Sequence, residues 1–114
     1  MFAIDYYESE SGRKPVEDFI NSLDLKMRVK IFGRLQLLKE YGPKLGMPFS
    51  RHLDDGIFEL RTVQGNGNAR ILYFFFAGGR IILTHGFTKK TTKTPRREID
   101  KAKSYRCDWR ARNG

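Results

Sequence analysis

A chain of 114 residues is one domain's worth of sequence, long enough for a single core and too short for two. Its 39% hydrophobic and 13% aromatic content describes a folded globule rather than a disordered tail, and no run of about 18 apolar residues exists to span a membrane. Charge is the informative quantity: 22 basic against 13 acidic residues give +9, and residues 85–114 carry 10 basic and 3 acidic side chains against 12 and 10 in residues 1–84.

In chain order, residues 2–7 ("FAIDYY") place Phe2, Ile4 and Tyr6 on one side and Ala3, Asp5 and Tyr7 on the other, the period of a strand. After the polar turn "ESESGRK", Pro15 suits a first helical position, and Val16, Phe19, Ile20 and Leu23 share an amphipathic face. Asp24 is a cap for a second helix with the stripe Met27, Ile31, Leu35 and Leu38, widened by Val29, Phe32 and Leu37. Tyr41-Gly42-Pro43 reads as its stop.

Three strands follow at residues 56–63, 69–76 and 80–87, joined by "QGNGN" and "AGG" as an antiparallel meander. "ILYFFF" is apolar at both parities, which makes this strand central and covered on both faces. Thr94 then caps a last helix with Pro95 in its first turn, and Ile99, Ala102, Tyr105 and Trp109 form its apolar face. The order β-α-α-β-β-β-α describes one α+β domain over residues 1–114. Cys107 stands alone, no Cys/His spacing suggests zinc, and no P-loop, dinucleotide motif or serine triad is present. No metal or cofactor is therefore expected. With no secretory signal visible either, a reduced, cytoplasmic location fits best.

The basic excess has a focus. Residues 85–95, "HGFTKKTTKTP", hold three lysines, a histidine and no acid at the end of an apolar strand. Such a field attracts polyanions in a salt-dependent way, although a solvated, Lys-rich terminal region would also carry it.

Residues 52–61 ("HLDDGIFELR") and 69–103 ("ARILYFFFAGGRIILTHGFTKKTTKTPRREIDKAK") resemble the RelE/HigB toxin superfamily, and within it the phage-derived HigB-like branch. The resemblance implies a RelE-like fold, a small twisted antiparallel sheet with two helices packed on one side. It implies a toxin of a type II toxin–antitoxin module that cleaves mRNA on the ribosome. A helix-turn-helix (HigA-like) antitoxin would neutralise it.

RNA is cut without metal when its own 2′-hydroxyl attacks the adjacent phosphate, a reaction that needs a base, an acid and cations. Arg61 and Arg70 fall on adjacent strands, close enough to grip one phosphate, or each instead pairs with Glu59, Asp54 or Asp55. The resemblance places an arginine at the position of Arg70 and basic residues at the strand end where Lys89 and Lys90 stand. Those lysines and Lys93 are candidates to cradle phosphate, and one with a lowered proton affinity is a candidate base.

His85 is a candidate general acid or base, or a core residue sharing the parity of Ile81 and Leu83. Phe87 is a candidate for stacking on a base, and His52, beside Arg51 in a loop, a candidate substrate contact. Arg96 and Arg97 oppose the helix dipole in the first turn of their helix, which RNA phosphates would explain. Tyr105 does not align with the C-terminal tyrosine or histidine that some superfamily members use. Two rivals remain: a cleavage-inactive RNA- or partner-binding module of the same fold, and a phage structural or accessory protein.

Overall fold

The computed structural model describes residues 1–90 and 93–114, so Thr91 and Thr92 of the basic stretch lie outside the described residues. The elements are β1 (Ala3–Tyr6), α1 (Pro15–Asn21), α2 (Leu25–Tyr41), β2 (Ser50–Asp54), β3 (Ile57–Gln64), β4 (Gly67–Phe76), β5 (Arg80–Thr88) and α3 (Arg96–Asn113). They build a five-stranded sheet in the order β1-β5-β4-β3-β2. The mixed α+β architecture is the expected one. Strands β2 to β5 pair antiparallel, whereas β1 joins the free edge of β5 in parallel, Ile4 opposite Ile81.

Local signals explain most of these elements. Pro15 opens α1. The Asp24 carboxylate accepts the Met27 N–H at 2.8 Å, the cap that starts α2. Gly42 closes α2 with a positive φ of 52°. The last helix starts one residue later than expected, with Pro95 at the cap position, because the Thr94 hydroxyl turns away to donate to Glu59.

Two apolar layers sandwich the sheet. On one face Val16, Ile20, Met27, Ile31, Leu35 and Leu38 of α1 and α2 pack on Leu60, Ile71, Tyr73, Ile81 and Leu83. On the other, Ala102 and Trp109 of α3 cover Ile57, Leu72, Phe74 and Ile82. Strand β4 is therefore buried on both sides, as its double apolar parity requires. The α2 stripe is narrower than expected: Val29 and Phe32, with Leu25, point to solvent.

Strand β2 is a correction to the expected loop. Its sequence "SRHLD" has little apolar alternation, but Asp55 and Gly56 both take positive φ, 47° and 77°. They form the two-residue turn that brings Asp54 opposite Ile57. His52 thus lies on a strand. Among the described residues, no helix is long and apolar enough to cross a membrane.

Candidate functional site

The α3 face of the sheet is apolar only where α3 covers it. Strand alternation puts Glu59 and Arg61 on this face with Ile57, and the register aligns two cross-strand rows. One row runs Arg51, Glu59, Leu72, His85; the next runs Arg61, Arg70, Phe87. The two arginines expected to lie near each other are direct partners across β3 and β4. A two-residue turn at Gly65-Asn66 sets that register.

At the centre lies Glu59, a carboxylate fully shielded from solvent. Its Oε1 accepts from the Thr94 hydroxyl and faces Arg70 Nε at 3.3 Å and Lys89 Nζ at 4.0 Å. Arg51 Nη2 stands 4.0 Å from its Oε2, which has no hydrogen-bond partner among the described residues. Arg70 is itself buried, and its Nη1 donates to the Asn68 side chain and, at 3.1 Å, to the Ala69 carbonyl. Arg61 is only partly covered, touching Met47 Sδ through Nη1 at 3.2 Å.

Three cations thus stand within 4.0 Å of one anion, and Arg61 lies opposite one of them across the strands. Burial pulls the proton affinity of Lys89 below the ordinary lysine range; Glu59 opposes the effect, while Arg70, Arg51 and Arg61 add to it. Burial likewise lowers that of Arg70, against Glu59 and with help from Arg61 and Arg51. An incoming phosphate would relieve the surplus positive charge, and a lysine so placed suits both charge stabilisation and proton transfer.

Lys89 of this cluster lines a cleft of roughly 300 Å³ together with Phe87, Lys90, Pro95, Arg97 and Glu98, among others. Lys90 is exposed, Phe87 is half-buried, and Arg97 lies at the rim with its Nε 3.9 Å from Glu98. Lys93 is exposed on the segment that leads into α3.

The strand parity expected of His85 is corrected. Its parity with Ile81 and Leu83 is reversed by an irregularity in the β4–β5 ladder: Tyr73 faces Leu83, Leu72 faces His85, and Thr84 has no partner of its own. His85 therefore turns to the α3 face, buried against Phe87 and Tyr105. Gly86 takes the opposite face, where a Cβ would collide with the Phe19 ring. His85 Nε2 sits 3.0 Å from Glu98 Oε1 and Nδ1 sits 3.1 Å from Thr84 Oγ1. Burial lowers its proton affinity, Glu98 opposes that, and Lys101 reinforces it.

Two candidates fall outside the cluster. His52 projects from the opposite face beside Phe58, and its Nε2 accepts the Gly56 N–H at 3.1 Å. Arg96 is held by Asp54 at 2.9 Å and Asp100 at 3.1 Å, carboxylates that offset its place at the helix start. Tyr105 stacks on Tyr7 with ring centres 4.5 Å apart. Sequence reading missed Glu98, Arg51 and the linking role of Thr94. The usable signal for Glu59 was its inward parity beside Ile57. Among the described residues, no three His, Cys, Asp or Glu side chains group as metal ligands.

A family model described as "Phage derived protein Gp49-like (DUF891)" matches residues 18–106. No curated protein matches the chain.

Proposed function

The chain belongs to the family of phage-derived Gp49-like proteins, and we propose that it is the toxin of a type II toxin–antitoxin module, an endoribonuclease acting on mRNA at the ribosome. The family is associated with RelE/HigB-like toxins, which supports a toxin and an antitoxin partner. One observation carries the enzymatic part. Arg61 and Arg70 are opposed across β3 and β4, and Arg70, Arg51 and Lys89 stand around one buried carboxylate, with Lys89 lining a cleft edged by Lys90.

In this reading Glu59 aligns Arg70 and Lys89 from below, while Arg61 and Lys90 reach the scissile phosphate directly. The cations hold the charge that builds on a five-coordinate phosphorus, and Phe87 offers a face for a base. The 2′-oxygen displaces the 5′-oxygen, leaving a 2′,3′-cyclic phosphate and a 5′-hydroxyl. His52 and Arg96 have no part in it.

The test is cleavage of a defined mRNA on programmed bacterial ribosomes, with Arg61→Ala as the control and ends mapped by primer extension. Cuts by the wild type that the variant makes at least about 100-fold more slowly support the reading. Equal cutting by the variant removes Arg61 from the site. A second reading, a binding module without cleavage, draws on the close pairing of Arg70 and Lys89 with Glu59. Ribosome or RNA binding with no cut ends would favour it.

A further inference from the structure

We infer that Glu98 is the proton acceptor of this cleft and that His85 is its positioning residue, the two forming a carboxylate–imidazole site opposite Lys89 and Lys90. The inference rests on the endoribonuclease reading and names the group that would take the 2′-proton.

Three placements carry it. First, Glu98 lines the same cleft as Lys89 and Lys90, with its side chain 16% exposed. It is thus anchored in the protein and open at the surface that RNA would reach. Second, a histidine shielded from solvent stands directly behind it, Nε2 to Oε1 at 3.0 Å. That imidazole is brought there by the irregularity at Thr84; in the regular register it would face α1.

Third, the chain of hydrogen bonds behind Glu98 has two complete arrangements. Thr84 Oγ1 lies 3.2 Å from the Leu72 carbonyl and 3.1 Å from His85 Nδ1, but its hydroxyl has one hydrogen. Turned to Nδ1, it leaves the imidazole proton on Nε2, which donates to a charged Glu98. Turned to Leu72, it accepts from Nδ1–H while one proton still lies between Nε2 and Glu98, so the His85–Glu98 pair then holds one proton more. Either state gives both imidazole nitrogens a partner with no heavy atom displaced. A group that must take up and release a proton in every turnover requires that property.

In the chemical step Glu98 takes the proton of the 2′-hydroxyl, and the 2′-oxygen bonds to phosphorus. The bond from phosphorus to the 5′-oxygen breaks, and the departing oxygen takes a proton from the Lys90 ammonium. Exchange with solvent then returns Glu98 to the carboxylate and Lys90 to the ammonium. Arg97 pairs with the carboxylate and Lys89 and Lys90 line the same cleft, so its charge does not bar an approaching phosphate. A purely structural Glu98, favouring the start of α3 through the helix dipole, would affect stability and not the chemical step.

The test compares wild type, Glu98→Gln and Glu98→Asp in cleavage on programmed ribosomes, reading kcat and KM separately and thermal unfolding alongside. The assignment expects Glu98→Gln to keep its melting temperature and a KM within about threefold, with kcat lower by about 100-fold or more. A Gln variant within about tenfold of the wild-type kcat overturns the Glu98 assignment and leaves the endoribonuclease reading standing. If the Gln variant does not fold, Glu98→Asp decides, since it keeps the charge and withdraws the carboxylate by one methylene. Reduced kcat at unchanged KM supports the assignment, and full wild-type kcat overturns it. Wild type that cuts nothing overturns the endoribonuclease reading and this assignment together.

Discussion

At the scale of single residues, the site is organised by a carboxylate that never meets solvent. Removing one partner of a buried ion pair leaves the other charge uncompensated, at a cost of roughly 3–5 kcal/mol. Arg70→Ala removes the nearest of the cations around Glu59, leaving Lys89 and Arg51 at 4.0 Å, and is expected to lower the unfolding free energy read from urea titration by up to that order. Arg61→Ala, partly exposed and, among the described residues, hydrogen-bonded to a sulfur alone, is expected to stay within about 1 kcal/mol of wild type. Equal midpoints for Arg70→Ala and wild type would remove the buried pair from the account. For this reason Arg61, not Arg70, is the informative variant for cleavage. The opposition of the two arginines was legible from the hairpin between them. The role of Glu59 was not, because it depends on Lys89 and Thr94 arriving from 30 and 35 residues away.

At the scale of elements, α3 is tied down largely by ions. Hydrogen bonds from Lys103 and Arg96 hold the Asp54 carboxyl below the usual carboxylate range, and those from Tyr7 and Arg112 do the same for Asp108. A lowered folded-state affinity means stability that is present above the unfolded carboxylate's value and lost as pH falls below about 4. Trp109, the one tryptophan, is buried on Phe74 and Phe76 and should report α3 loosening as a fluorescence change in acid. Asp54→Asn with Asp108→Asn should lower the melting temperature at neutral pH and flatten its fall in acid. An unchanged acid profile would show that these ties do not hold the helix.

Gly86→Ala tests the packing of β5 on α1, where the added methyl meets Phe19; overpacking costs about 1–3 kcal/mol. A melting temperature equal to wild type would mean that Phe19 is free to move aside. The elements with strong periodicity and caps, α1, α2, β3, β4 and β5, were readable from sequence. Strand β2 was not: five residues with one inward leucine give no alternation, and only the Asp-Gly turn betrays it. The irregularity at Thr84 was equally silent, and it alone decides which face His85 occupies.

At the scale of the whole molecule, the charge of +9 gathers at the C-terminal quarter, but many of those cations are already paired. Arg96, Lys103, Arg106 and Arg112 pair with Asp54, Asp55 or Asp108. The positive charge left unpaired is thus less than composition suggests. Removing one cation that touches a phosphate lowers the salt slope of single-strand binding by about 0.7, so Arg61→Ala with Lys90→Ala should lower it by about 1.4. Arg96→Ala should leave it unchanged. The reverse pattern would move the interface onto α3.

The measurement closest to the central claim is the chemistry of the cut ends: wild type and Arg61→Ala incubated with a defined mRNA on programmed ribosomes, and the products' termini analysed. The account expects 2′,3′-cyclic phosphate and 5′-hydroxyl ends from the wild type and a steep loss in the variant. Products bearing 5′-phosphates, or no products from folded wild-type protein, would contradict it.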